Sequence, residues 1–176
     1  MYSNDGEQNS GYPGADEPKH GHKSCGRGAR FGGHHIMHRG VDATIKKAFA
    51  SSNRLQDILT NQFKTGRTGN EMLLAAIKQA KAEGIAPSIY THPLGLHGHA
   101  AGPTIGMWDK QEGVPGSGDY KLYPNTAYSI ELNSSTLIPE WGKEIRVMLE
   151  EDGFYDGKTF RYIGGRQQKI LLVKYF

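Results

Sequence analysis

The hydrophobic period of this chain changes once, and the order of that change limits the folds open to it. Between Val41 and Phe63 apolar residues fall at Val41, Ile45, Ala48, Phe49, Leu55, Ile58, Leu59 and Phe63. Most of these spacings are three or four, the period of an amphipathic helix, which the polar run Ser51-Ser52-Asn53 is expected to interrupt. Thr68 and Glu71 have the spacing of a capping box ahead of EMLLAAIKQAKAEG. There a hydroxyl and a carboxylate satisfy the first free amides of a second helix. Gly66 and Gly84 are natural stops for the two helices. After Gly84 the period becomes two: SIYTH (88–92), TAYSIELN (126–133), KEIRVMLEE (143–151), FRYIG (160–164) and KILLVKY (169–175) read as strands. Asp152-Gly153, Asp156-Gly157 and Gly164-Gly165 supply turns between them. Helices first and strands afterwards predict an α+β domain, with the helices packed on one face of a curved, mostly antiparallel sheet.

This patterned region begins near Val41. Residues 1–40 hold nine of the 24 glycines and five of the eight histidines, with hardly any aliphatic side chains and no period. Such a segment buries too little apolar area to offset its ordering entropy, so a Gly/His-rich irregular or disordered lead is expected there. The abrupt shift in composition reads as a gene-model boundary, with residues 41–176 as the genuine domain. HHIMH sets His34 and His38 one helical turn apart, but no further ligand stands in register with them. The net charge of +3 is mild and spread without a basic stripe, which argues against nucleic acid as a partner. Cys25 is the only cysteine, which excludes an intrachain disulfide framework. No run approaches the ~18 apolar residues of a membrane span, and the N-terminus lacks the charged-then-apolar order of a signal peptide. Neither a membrane nor an address is expected, leaving the cytoplasm by default.

Chemistry concentrates in three places. THPLGLHGHAAGP (91–103) brings His92, His97 and His99 into one glycine-fenced stretch. Imidazole serves both as a metal ligand and as an acid or base near neutral pH. On the strand TAYSIELN, Glu131 shares a face with Ser129 and Asn133, bounded by Ile130 and Leu132 on the other. On the next strand Glu144 stands just ahead of Ile145, Val147 and Leu149. If the two strands pair, both carboxylates face one site, and two glutamates with a histidine suit Mn, Co, Zn or Fe(II). Each carboxylate taken alone reads more readily as a solvated strand position. The long connection from Gly102 to Pro124, which carries Trp108 and Tyr120, is of the type that lines sites.

Taken together, the segment from about Asn70 to Phe176 resembles the catalytic half of the pita-bread metallopeptidases, the superfamily of methionyl aminopeptidase, Xaa-Pro aminopeptidase and creatinase. The resemblance rests on His92-Pro-Leu-Gly-Leu-His-Gly-His99, on Tyr128-Ser-Ile-Glu131-Leu-Asn, and on Lys143-Glu144 with Gly153 nine residues after that glutamate. It implies the second half of a pita-bread fold and a two-metal hydrolase that removes an N-terminal residue from a peptide, at Xaa-Pro among other sequences. It also implies roles: His92, Glu131 and Glu144 as metal ligands, Glu131 handling the proton of the attacking water, and His99 contacting the substrate carbonyl. His97 falls where the family pattern is variable and is read as a wall of the site.

The family also requires an upstream aspartate pair, and Asp5 and Asp16 have its spacing of eleven, without strand alternation around them. A shortened domain of this kind is expected to have doubtful activity and either to be unstable alone or to complete itself as a homodimer. The alternatives from other classes are a non-catalytic peptide-binding module and a fragment without function.

Overall fold

The computed structural model describes residues 42–172. Helix α1 spans Ala43–Thr60 and helix α2 Gly69–Ala82. Six strands follow: β1 Ala86–Ile89, β2 His92–Gly95, β3 Gly98–His99, β4 Thr126–Ile138, β5 Lys143–Tyr155 and β6 Phe160–Tyr162. All pairings are antiparallel, in the order β3-β2-β4-β5-β6, with β1 also on β4. Two helices on such a sheet are the α+β arrangement the sequence pattern predicts. No helix among the described residues is long and apolar enough to cross a membrane. The irregular lead, with its His34/His38 pair and with Asp5 and Asp16, lies outside the described residues.

Local chemistry explains the helices. The capping box forms as expected: the Glu71 amide donates to Thr68 Oγ1 at 3.1 Å, and the Thr68 amide to Glu71 Oε2 at 2.7 Å. Gly84, at φ +74°, ends α2 where an L side chain would be strained. The expected break in α1 does not occur. Ser51 returns its hydroxyl to the Lys47 carbonyl, and Ser52 turns inward instead of competing with the helix backbone.

Ser52 is a polar pin through the core. Its hydroxyl donates to the Val147 carbonyl of β5 at 2.7 Å. A hydroxyl has one proton, so its 2.6 Å contact with Ser134 Oγ must be donated by Ser134, whose amide also donates to Ser52 at 3.2 Å. One fully buried side chain thereby ties α1 to both long strands. Around it, Leu55, Ile58 and Leu59 of α1 and Met72, Leu73 and Ala76 of α2 close over Tyr128, Ile130 and Leu132 of β4, all fully buried. Burial of each large aliphatic side chain contributes ~1.5–3 kcal/mol.

Strand β4 is the axis of the sheet. The expected strand at residues 88–92 is real but longer, and it is divided: β1 and β2 lie on β4 in one continuous register, Ile89 opposite Leu132 and His92 opposite Ser129. Between them the Tyr90 amide still donates to the Glu131 carbonyl at 2.9 Å, while Thr91 exchanges backbone bonds with Ile105 of the long connection. That connection is tied down by two side-chain amides. Gln111 pairs both backbone groups of Ile89, at 3.0 and 2.9 Å. Asn70, in the first turn of α2, does the same for Val114. The expected strand over 169–175 is absent in its described part: residues 169–172 pair with nothing as a strand, and the rest lies outside the described residues.

Candidate functional site

A β-strand shows alternate residues to opposite faces, and residues paired across strands face the same way. With Tyr128, Ile130 and Leu132 given to the helices, β4 turns Ser129, Glu131 and Asn133 to the other face. The β4–β5 register sets Glu131 opposite Glu150 and Ser129 opposite Asp152. From β2, His92 stands opposite Ser129. A histidine and two glutamates therefore meet on the face that carries no helix.

Their contacts are specific. Ser129 Oγ donates to Glu150 Oε1 at 3.1 Å. His92 is buried, and its Nδ1 lies 3.1 Å from the Pro93 carbonyl. A carbonyl can only accept, so Nδ1 carries the proton and Nε2 keeps its lone pair. That lone pair faces Glu131 Oε2 at 3.8 Å, too long for a direct hydrogen bond. His99, from β3, stacks on His92 with ring centroids 3.8 Å apart and 18° between planes. Its Nε2 is 3.0 Å from the Tyr90 hydroxyl.

Charge in this corner is suppressed. Burial lowers the His92 pKa below its ordinary 6.5; the Pro93 hydrogen bond opposes that and the neighbouring His99 adds to it. Burial also raises the Glu131 carboxyl above 4.5, and repulsion by Glu150 adds to the shift. The His92–Glu131 contact is consequently not a salt bridge at neutral pH. It is a neutral imidazole beside a carboxylate of raised proton affinity.

The expected Glu144 is not part of this group. It pairs with Leu137, six residues from Glu150 along β5 and so roughly 20 Å away at 3.4 Å per residue. The physical reason is the hairpin turn. Residues 139–142 connect the strands tightly, Ile138 facing Lys143, and that pairing fixes Glu150, not Glu144, opposite Glu131. Counting outward from Pro139-Glu140-Trp141-Gly142 would have found it. His97 is exposed and contributes nothing to the group.

Two glutamates and one imidazole lone pair offer the nitrogen and oxygen donors that Mn, Co, Zn or Fe(II) accept. They do not amount to a dinuclear centre. Among the described residues no three His, Cys, Asp or Glu side chains are grouped to hold an ion.

No protein-family model and no curated protein matches the sequence. Solved structures do resemble the fold. An X-Pro aminopeptidase from Thermotoga maritima MSB8 superposes with a TM-score of 0.57 at 18% identity, over 76% of this chain and 35% of its own. A methionine aminopeptidase from Rickettsia prowazekii gives 0.52 at 14%, over 70% and 53%. The prolidase from Pyrococcus horikoshii OT3 gives 0.51 at 16%, over 75% and 35%. At these identities the likeness is one of fold: the chain has the pita-bread architecture of these peptidases and spans a third to a half of their lengths.

Proposed function

We propose that the chain carries the histidine–glutamate part of an aminopeptidase site, which acts metal-dependently on the N-terminal end of a peptide, with Xaa-Pro as a favoured sequence. The observation that supports this reading is the row formed by His92, Glu131 and Glu150, with Ser129 holding Glu150 in place. In this reading Glu131 takes the proton of the attacking water, helped by its raised pKa. His99, stacked on His92, is the group that contacts the substrate carbonyl. His92, Glu131 and Glu150 are the metal-facing donors in this reading.

A second reading, a peptidase fold that binds peptides without cleaving them, is favoured because no three donors are grouped to hold an ion among the described residues. Metal analysis separates the two. After reconstitution with Mn, Co, Zn or Fe(II), the hydrolytic reading expects bound metal, release of free amino acids from short peptides, and loss of both on Glu131→Ala. No bound metal and no release would end it, and peptide binding indifferent to chelator would then establish the module.

A further inference from the structure

The face that carries Glu131 continues past it into a second polar cleft. Two residues along β4, roughly 7 Å from Glu131, Asn133 is only 1% exposed, and its Nδ2 has no hydrogen-bond partner among the described residues. Leaving a buried donor unsatisfied costs ~1–3 kcal/mol, so its persistence calls for an explanation. Asn133 lies at the floor of a cleft of about 370 Å³, between the start of β1 and the turn-proximal part of β5. Ser88 faces it from β1, and one step further Ser135 stands opposite Arg146. Lys81 reaches the rim from the last turn of α2, and Glu144 supplies the only carboxylate of the lining. Neither Lys81 nor Arg146 forms an ion pair among the described residues.

The lining is rich in donors and short of acceptors. Two cations face one anion, a buried amide N–H waits at the floor, and two hydroxyls can each donate. We infer that this cleft is a carboxylate-binding site distinct from the His92–Glu131–Glu150 group. The planar guanidinium of Arg146 grips the two oxygens side by side, as arginine does for carboxylates. Lys81 adds a point charge, and Asn133, whose terminal torsion has a broad well, turns its N–H onto the same group. Glu144 at the rim disfavours multiply charged anions, so a monoanionic carboxylate is preferred to phosphate. The spacing allows either of two sources. A small free carboxylate fits the cleft by itself. A peptide of two to four residues, at ~3.3–3.6 Å per residue, has a C-terminal carboxylate that reaches Arg146 while its other end lies at Glu131.

The test uses the full chain, N-acetylglycine as the carboxylate probe and N-acetylglycinamide as its neutral twin. N-acetylglycine is expected to bind and to shift the side-chain amide resonances of Asn133, whereas the amide does neither. Arg146→Gln, an exposed substitution that leaves the melting temperature unchanged, is expected to weaken binding about tenfold, as loss of a charge-assisted pair does. Lys81→Gln is expected to weaken it less. Equal binding of the two probes, inorganic phosphate binding as well as N-acetylglycine, or an indifferent Arg146→Gln would overturn the assignment. Competition by triglycine but not by its C-terminal amide identifies a peptide end as the source, and failure of both to compete leaves small carboxylates. Because neither probe is cleavable, the site stands or falls independently of hydrolysis at Glu131.

Discussion

At the scale of single residues, the group around Glu131 costs the fold stability. Its pKa is raised in the folded state, so between 4.5 and that higher value the native protein binds more protons than the unfolded chain. Stability therefore declines as pH rises through this window, and the penalty persists at neutrality. Glu131→Gln should stabilise the metal-free protein at pH 7 by a few tenths to ~1 kcal/mol, the scale of like charges opposed across strands. Urea unfolding in chelator at pH 7 and pH 4 checks it: the gain should fade at the lower pH, and a destabilised variant at pH 7 would contradict the assignment. His92 has the opposite sign. Its folded pKa lies below 6.5, so the unfolded state binds more protons in the interval beneath that value, and stability drops as pH falls through it. His92→Asn should flatten this limb of the stability profile; an unchanged slope would place the titrating group elsewhere.

At the scale of elements, Ser52 shows why a local reading of α1 fails. Serine and asparagine in sequence signal a break because their side chains compete for nearby backbone groups. Here the competitor is 82 residues away on β4, and only the assembled core reveals it. Ser52→Ala should cost ~1–3 kcal/mol by stranding a buried acceptor and donors. The double variant with Ser134→Ala should cost less than the sum of the single changes, measured by chemical denaturation; strict additivity would show that the two hydroxyls do not cooperate. The capping box of α2 was legible for the converse reason, since Thr68 and Glu71 complete each other within one turn. The strand expected over 169–175 failed where the pattern of alternation had no neighbour to pair with through residue 172, because a strand is stabilised by its partner and not by its own sequence.

For the whole molecule, the central strand decides where stability resides. β4 is flanked by β1 and β2 on one side and by β5 on the other, and its inner face carries Tyr128, Ile130 and Leu132. Amide hydrogen exchange should be slowest at these positions and much faster in β6, where pairing is short, and around Leu96 to Ala100, where pairing is short and side chains are exposed. Uniform protection across the sheet would contradict this hierarchy. The face that Glu131 occupies was legible in the sequence because alternation along its strand predicts it. Glu150 could not be read the same way, since a pairing partner is a property of two strands and the loop between them.

That loop gives the site an unusual kind of adjustability. Glu150 meets Glu131 only because Ile138 faces Lys143 across Pro139–Trp141 and Gly142, seven residue pairs and roughly 24 Å from the carboxylates. A register change of two residues at that hairpin end keeps every side chain on its present face. It would nevertheless bring Met148 or Asp152 opposite Glu131, replacing the acid with a thioether or a shorter acid. Insertions and deletions in an exposed turn thus become a route by which descendants of this sequence can rewrite the charge of the cleft without a substitution in either strand.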